Sequence, residues 1–224
     1  MTSPDPAARL AVEAARYGYP PEAAARLLAM AQAVLEESAS VNLTAAKTLE
    51  AALEILVLDA LPIPAAWASP RPPRAALDLG TGNGFPGAAV AARWPACPTT
   101  FVDRRAKKVH AVGRCLARAG IRNVAIVAAD GRELIPQQPA FARRFDLVTV
   151  RAVGDLAPTT KEVAPLLAPG GRVVHWKSAD VDPVEVAAGD ATARSVGLVR
   201  RADVPFRVAP ERPARILVVY ERPA

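Results

Sequence analysis

The chain has 224 residues, 51% of them hydrophobic and 22% charged, so it can bury a core without disulfides or metals. Its formal net charge of +6 favours a polyanionic partner, although an arginine-rich composition also follows from the base composition of some genomes. Two cysteines without zinc-type spacing, no signal-type segment and no apolar run of roughly 20 residues predict a cytoplasmic protein without membrane contact or a bound metal. We also expect a monomer.

Residues 1–61 have the spacing of helices. Leucine and alanine recur with helical periodicity over residues 27–35, and Pro21 lies where that helix would begin. A second periodic stretch covers residues 49–61, and the Thr48 hydroxyl is suited to cap its first turn. We therefore expect an N-terminal helical segment over residues 1–61.

The next segment, residues 62–73, contains five prolines and predicts a linker to a domain over residues 74–224. That domain alternates apolar strands with helices. This order predicts an α/β, Rossmann-like, mostly parallel sheet of seven strands with helices on both faces. The predicted strands are 75–79, 99–103, 124–128, 145–150, 172–176, 204–208 and 216–220. The predicted helices are 86–93, 106–119 and 156–167, the last one ended by a Pro-Gly-Gly sequence.

A glycine-rich turn, Asp-Leu-Gly-Thr-Gly-Asn-Gly over residues 78–84, follows the first strand. Gly80, Gly82 and Gly84 let the backbone turn sharply and approach a ligand at the edge where such sheets bind cofactors. The G-x-G-x-G spacing differs from the dinucleotide fingerprint. Asp78 would repel a pyrophosphate, and it suits the ammonium and sulfonium of S-adenosylmethionine (SAM). The turn therefore favours SAM over a nicotinamide cofactor, with a ligand-free tight turn as the alternative.

Two later positions extend this cofactor site. Asp103 ends the second strand, where a carboxylate accepts hydrogen bonds from ribose hydroxyls, or caps the helix that follows. Asp130, Gly131 and Arg132 form the loop after the third strand, which we expect beside the adenine. An ordinary turn before a helix is the alternative for this loop.

Basic residues lie at the edge where a substrate would enter. Arg151 ends the fourth strand and could orient a guanine, the SAM carboxylate or a phosphate, or form a surface salt bridge. Lys177 follows the fifth strand at the same edge, and we take both residues as candidate catalytic groups. Trp176 and Phe85 could stack on a base, although such residues more often lie in a core.

Other nucleophilic chemistry is not indicated. The chain lacks the Asn/Asp-Pro-Pro-aromatic motif of amino-group methylation, and neither Cys97 nor Cys115 lies at a sheet edge. The basic run over residues 104–118 is either a track for an RNA backbone or a solvated helix face. Its members are Arg104, Arg105, Lys107, Lys108, Arg114 and Arg118.

These motifs resemble the RsmG (GidB) family, the bacterial guanine-N7 methyltransferases of small-subunit (16S) ribosomal RNA. The resemblance covers roughly residues 35–221. The shared features are Val41-Asn42-Leu43-Thr44-Ala45, the run from Asp78 through Gly84 to Phe85-Pro86-Gly87, Asp103 with Lys107-Lys108, Arg151-Ala152, Lys177, and Arg215-Ile216-Leu217-Val218-Val219.

The resemblance implies a class I SAM-dependent methyltransferase fold and a ribosomal RNA or ribosomal particle as partner. It also implies SAM contacts at Gly80, Phe85, the loop near Gly131-Arg132, and Arg151. Two departures concern histidines: the family's His-x-x-Asp-Ser-Leu reads Leu-Val-Leu-Asp-Ala-Leu at residues 56–61, and Ile216 replaces a histidine.

Other classes of function stay open at this level. One is a SAM-dependent methyltransferase of a small molecule or protein. Another is a non-catalytic RNA-binding or ribosome-assembly protein that keeps the SAM pocket. A nicotinamide oxidoreductase is disfavoured by the charge and spacing of the glycine-rich turn.

Overall fold

The computed structural model describes residues 5–224, and a single sheet forms its centre. The strands are β1 (Ala76–Leu79), β2 (Thr99–Asp103), β3 (Val124–Ala128), β4 (Phe145–Arg151), β5 (Leu167–Ser178), β6 (Val199–Arg200), β7 (Val204–Phe206) and β8 (Arg215–Glu221). Their order is β3-β2-β1-β4-β5-β8-β6, with β7 also paired to β8. The first five of these run parallel, and β8 is antiparallel to β5.

The two short strands at the far edge share one position in the sheet. β6 pairs with the end of β8 through Val199 and Glu221, whereas β7 pairs nearer its start through Val204 and Leu217. They therefore form one edge strand that is interrupted between residues 200 and 204. The predicted mostly parallel sheet with seven strand positions is confirmed.

Nine α-helices surround the sheet in the described part of the chain. They are α1 (Pro6–Arg16), α2 (Pro21–Glu37), α3 (Leu49–Ala52), α4 (Ile63–Trp67), α5 (Gly87–Arg93), α6 (Ala106–Arg118), α7 (Leu134–Gln137), α8 (Leu156–Val163) and α9 (Pro183–Ser195). The predicted cap of α3 is confirmed, because Thr48 Oγ1 accepts a hydrogen bond of 3.2 Å from the Ala51 amide. Directly after α3, the chain continues as a π-helical segment, Leu53–Leu58.

The start of one strand in the second half was predicted wrongly. Helix α8 ends at Val163 and is followed by a 3-10 turn, Ala164–Leu166, so the helical stretch ends close to the predicted end at residue 167. Strand β5 begins at Leu167 and not at residue 172, so the Pro-Gly-Gly sequence lies inside the strand. The reason is backbone pairing: the Gly170 amide donates to the Arg222 carbonyl over 2.8 Å, and the Arg222 amide donates to the Gly171 carbonyl over 2.8 Å. Helix α9 was missed because it buries only Gly189 and Ala193, which leaves no periodic run of large apolar residues.

The helices divide into two layers with separate cores. One core lies between one face of the sheet and a layer made of α5, α6 and the described N-terminal helices. The other core lies between the opposite face and α8 and α9. Helix α2 packs directly on the glycine-rich turn, because a Cβ added to Gly84 would lie 2.6 Å from the Met30 methyl group. The N-terminal segment therefore helps to shape the edge that carries the turn.

Helix α4 occupies the first half of the proline-rich stretch over residues 62–73. The division into a segment over 1–61, a linker over 62–73 and a domain over 74–224 stays a prediction, and residues 1–4 lie outside the described residues. No helix within residues 5–224 is both long and apolar enough to cross a membrane.

Candidate active site

A cavity of about 790 Å³ opens at the carboxyl ends of β1 and β2. Its volume lies within the range of about 300–1,000 Å³ that is typical of cofactor sites. The structure brings five of the predicted binding residues together in its lining: Gly80, Asp103, Asp130, Gly131 and Arg132. The apolar part of the wall comes from Leu79, Val102, Ala129 and Ile135. A planar, mostly apolar ring with polar groups at its margin fits this lining.

The glycine-rich turn forms one wall of the cavity. Gly80, Gly82 and Gly84 have φ angles of +64°, +56° and +92°, the left-handed region that side chains rarely enter. The loop after β4 lies against the turn, since a Cβ added to Gly80 would lie 2.4 Å from Val153 Cγ2. Glycine at position 80 is therefore required both by the backbone angle and by the close approach of this loop.

The Asp78 carboxylate lies beneath the turn and does not line the cavity. The residue is 1% exposed, and Thr81 Oγ1 and Thr149 Oγ1 each donate a hydrogen bond of 2.6 Å to it. Burial raises the pKa of Asp78 in spite of these hydrogen bonds. A direct contact with the ammonium group of a cofactor stays a prediction that this geometry does not favour.

The Asp103 carboxylate joins the turn to the start of α6. Its Oδ2 accepts a hydrogen bond of 3.0 Å from the Gly82 amide, and its Oδ1 accepts one of 2.9 Å from the Arg105 amide. The residue is 4% exposed, yet it lines the cavity. Each carboxylate oxygen keeps a second lone pair. Both roles predicted for Asp103, shaping the chain before the helix and facing a ribose, are compatible with this position.

The loop after β3 is held by an internal ion pair. Arg132 Nε and Nη2 each lie 2.9 Å from one of the two Asp130 oxygens, and these hydrogen bonds lower the pKa of Asp130 to about 2. Gly131 lies against Glu162 of α8, so that a Cβ added there would be 1.8 Å from Glu162 Oε1.

Glu162 was missed by the sequence analysis. It lines the cavity, and burial, followed by the nearby charge of Asp130, raises its pKa. A carboxylate on a helix gives no sequence signal that separates a cavity-facing residue from a solvated one.

Arg151 is held beside the glycine-rich turn by three acceptors. Its Nη1 donates to Asp59 Oδ2 at 3.1 Å and to the Ile55 carbonyl at 3.2 Å, and its Nη2 donates to Asn83 Oδ1 at 3.1 Å. Its side chain is 14% exposed, and it does not line the cavity. The predicted salt bridge is therefore present, but it is largely buried and does not lie on the open surface. Asp59 and Asn83 were not predicted as site residues.

Lys177 is likewise engaged by neighbouring groups. Its Nζ lies 2.8 Å from the Gly154 carbonyl and 2.5 Å from Glu185 Oε1. Glu185 also accepts a hydrogen bond of 3.0 Å from the Leu156 amide at the start of α8. Lys177 thus fixes the loop that covers Gly80. Its ammonium group is engaged by these two protein groups and is not left open toward a substrate.

The aromatic residues considered for base stacking lie in the core. Phe85 is 2% exposed and Trp176 is 6% exposed, and the Trp176 indole donates to the Asp59 carbonyl over 2.9 Å. The Phe85 side chain does not line the cavity, so its predicted cofactor contact gains no support from the structure. Its role here is to pack the turn against the helices.

The basic run divides into two groups. Arg114 pairs with Glu37 of α2, and Arg118 pairs with Glu36, so these two cations join helices. Arg104, Arg105 and Lys107 at the start of the run are exposed, and Arg104 and Arg105 also line the cavity. The predicted RNA track is therefore reduced to the start of the run.

No cysteine or histidine lines the cavity within residues 5–224. Burial raises the pKa of Cys97 to about 12 and that of Cys115 to about 11, so neither thiol is readily ionised. His175 is buried, and burial lowers its pKa to about 3. No three His, Cys, Asp or Glu side chains of the described residues converge on a possible metal position.

The fold and site define the class of this protein. A SAM-dependent methyltransferase from Aquifex aeolicus superposes with a TM-score of 0.57 at 14% sequence identity, covering 76% of this chain and 92% of that one. The chain therefore has the fold of the class I SAM-dependent methyltransferases.

The family follows from the sequence. Residues 23–208 match the GidB family, described as rRNA small subunit methyltransferase G, and the chain belongs to this family. It is a methyltransferase, and its cofactor is SAM. A relative from Synechococcus sp., named ribosomal RNA small subunit methyltransferase G, is 30% identical over 213 residues, covering 88% of this chain and 84% of that protein. A relative of the same name from Deinococcus deserti is 36% identical over 146 residues, covering 65% of this chain and 59% of that protein.

Proposed function

We propose that this protein transfers the methyl group of SAM to N7 of a guanine in small-subunit ribosomal RNA, acting as a monomer in the cytoplasm. The observation that carries the proposal is the chemistry of the edge between Gly80 and Arg151. Within the described residues this edge offers hydrogen-bond donors and fixed charges, and no histidine or cysteine lines it. Its carboxylates, Asp103, Asp130 and Glu162, line the cavity that we assign to the cofactor and not to the methyl acceptor. Such a site suits an acceptor atom that carries a lone pair and no proton.

The residues of the cavity fit the cofactor. We assign Asp103 to the two ribose hydroxyls, the loop Asp130-Gly131-Arg132 to the rim of the adenine, and the apolar wall to its faces. Gly80 and Gly82 would border the amino-acid end, with Gly84 supporting the turn from behind. Bound SAM would supply an electrophilic methyl group on a positively charged sulfur.

The reaction needs alignment more than acid–base catalysis. Guanine N7 would accept the methyl group through its lone pair, the carbon–sulfur bonding pair would stay on sulfur, and no proton would be released. Fixing the reacting atoms in line can lower a barrier by about 7–11 kcal/mol. The residues around the cavity would contribute by holding the two substrates in that geometry.

Arg151 is best suited to the carboxylate of the SAM methionyl group. An N–H donated to N7 would occupy the lone pair that must attack, so bidentate recognition of guanine O6 and N7 would block the reaction. Planar carboxylates are good partners for the parallel N–H groups of arginine. We therefore assign Arg151 to cofactor orientation.

We assign Lys177 to positioning as well, and no longer to the chemical step. Through the Gly154 carbonyl and Glu185 it would hold residues 152–154 over Gly80 and so close one side of the cofactor site. Arg104 and Lys107 would contact phosphates of the RNA near the cavity mouth.

The test is transfer of labelled methyl from SAM. The protein is incubated with small ribosomal subunits, with naked small-subunit RNA and, as a control, with large-subunit RNA. We expect label in small-subunit RNA only, supplied either as particle or as naked RNA. Label in a protein or small molecule would favour another methyltransferase activity, and SAM binding without transfer would favour a non-catalytic RNA-binding role.

A further inference from the structure

Asp59 connects the N-terminal segment to three strands at the active-site edge. Its carboxylate oxygens lie 3.1 Å from Arg151 Nη1 on β4 and 3.5 Å from Arg215 Nε on β8. Its backbone carbonyl accepts the hydrogen bond from Trp176 on β5. Asp59 is 5% exposed, so the ion pair with Arg151 is shielded from solvent.

The backbone before Asp59 contributes a second contact. The π-helical segment Leu53–Leu58 ends directly before this residue, and the Ile55 carbonyl inside it accepts a hydrogen bond from the same Arg151 nitrogen. π-Helical turns are rare in proteins, and those that occur are often found at functional sites. Here the segment presents a carbonyl and a carboxylate to one guanidinium.

These contacts define which part of the guanidinium is free. Arginine has five N–H donors in a rigid plane. Nη1 uses both of its donors on Ile55 and Asp59, and Nη2 uses one on Asn83. The Nε–H and one Nη2–H have no partner among residues 5–224, and such a pair can bind the two oxygens of a carboxylate.

We propose that Asp59 is a positioning residue, which fixes Arg151 so that this free pair of donors holds the methionyl carboxylate of the cofactor. The inference rests on the proposed role of Arg151 at the cofactor. It makes cofactor affinity depend on the N-terminal segment, which does not itself line the cavity. Loss of Asp59 would leave the guanidinium free to rotate out of this orientation.

The experiment measures two dissociation constants by calorimetry, without RNA. S-adenosylhomocysteine carries the amino-acid carboxylate, and 5′-methylthioadenosine lacks it. We expect Asp59→Asn to weaken binding of S-adenosylhomocysteine by about tenfold, the size of effect of one lost hydrogen bond to a charged group. Binding of 5′-methylthioadenosine should be unchanged.

Glu54→Gln is the matched control. Glu54 belongs to the same π-helical segment and pairs with Arg9 and Arg212, but it has no hydrogen bond or ion pair with Arg151. It should change the thermal stability in the same direction as Asp59→Asn and leave both dissociation constants unchanged. Equal weakening of both ligands by Asp59→Asn would mean a general loss of structure and would overturn the inference.

A double-mutant cycle separates the possible failures. In an Arg151→Ala background, Asp59→Asn should weaken S-adenosylhomocysteine no further, because its effect passes through Arg151. If Asp59→Asn does not fold, Asp59→Glu keeps the charge, displaces it by one methylene, and should give the same ligand-selective weakening.

Each negative result has a different meaning. A wild-type protein that binds neither ligand would contradict the proposed function itself. Unchanged binding by Arg151→Ala would remove the assignment of Arg151, and the inference with it. If Arg151→Ala weakens binding of S-adenosylhomocysteine and Asp59→Asn leaves it unchanged, the role of Arg151 stands and the inference about Asp59 is overturned.

Discussion

Thr149 Oγ1 donates a hydrogen bond of 2.6 Å to Asp78 Oδ1 from the neighbouring strand, where the two residues are register partners in β4 and β1. Thr81 Oγ1 donates an equal bond to the other carboxylate oxygen from within the turn. The acid at the head of the glycine-rich turn thus joins two strands and the turn. Its contribution to the cofactor site is to hold the backbone in place.

The Asp78→Asn variant should become more stable relative to the wild-type protein as the pH rises. Burial raises the pKa of folded Asp78 above its ordinary value of 3.8, so the protonated form stabilises the fold. That contribution is fully present below 3.8 and is lost as the pH rises through the folded pKa, whereas asparagine carries no charge at any pH. Urea unfolding from about pH 3 to about pH 8 should therefore show a stability difference, Asn minus Asp, that grows and then levels off.

Asp78→Ala serves as the comparison for that series. It removes the acceptor of two buried threonine hydroxyls, which lowers stability by about 1–3 kcal/mol for each group left without a partner. The alanine variant should be less stable than Asp78→Asn at every pH. A stability difference between Asp78→Asn and wild type that does not vary with pH would contradict the raised pKa.

Asp103→Ala should weaken SAM binding by about 10–100-fold, because hydrogen bonds to a charged group contribute about 1.5–3 kcal/mol. The effect should be equal for 5′-methylthioadenosine, since that ligand keeps the ribose. Asp182→Ala is the control. Asp182 accepts a hydrogen bond of 2.8 Å from the amide two residues further along the chain, as Asp103 does at 2.9 Å. Asp182, however, lies before α9 and does not line the cavity. An unchanged dissociation constant for Asp103→Ala, measured by calorimetry, would refute the ribose assignment.

Gly131→Ala should impair cofactor binding through a steric conflict with Glu162. The added Cβ would lie 1.8 Å from Glu162 Oε1 and 2.8 Å from Leu79 Cδ1, so the glutamate must leave its position in the cavity wall. In a Glu162→Ala background the same substitution should have a much smaller effect on the SAM dissociation constant, because the carboxylate is gone. Equal effects in the two backgrounds would show that the conflict lies elsewhere.

Arg104 and Lys107 should contribute to RNA affinity, whereas Arg114 and Arg118 should not. The second pair is already matched by Glu37 and Glu36 of α2. Each phosphate contact that is removed should lower the slope of log affinity against log salt concentration by about 1. The double variant Arg104→Ala/Lys107→Ala is therefore expected to reduce the slope by about 2, measured by RNA binding at several salt concentrations. A larger loss in Arg114→Ala/Arg118→Ala would contradict this division of the basic run.

Local patterns predicted the parts of the structure that depend on neighbouring residues. Thr48 caps its helix because the hydroxyl and the amide are three residues apart. The glycine-rich turn and Asp103 are brought together because parallel strands end at one edge, so alternation of strands and helices was enough to place them. The same logic located the loop that contains Asp130.

Contacts between distant residues were outside the reach of such patterns. Asp59 and Arg151 are 92 positions apart, and nothing in either local sequence indicates their ion pair. The charge argument at Asp78 also gave no sign that two threonines hold this carboxylate underneath the turn, outside the cavity lining. Helix α9 lacks a periodic apolar face, and the strand pairing that begins β5 at Leu167 is set by Phe145 and Arg222.

Chemical mapping of the methylated atom distinguishes methylation at guanine N7 from methylation elsewhere on the RNA. Small-subunit RNA is treated with the protein and SAM, then reduced and exposed to aniline, which cleaves the chain at N7-methylguanine. We expect SAM-dependent cleavage at one guanine, absent without protein and strongly reduced with Asp103→Ala. Methyl incorporation without cleavage, which would place the methyl group on another atom, or no incorporation into this RNA at all, would contradict this expectation.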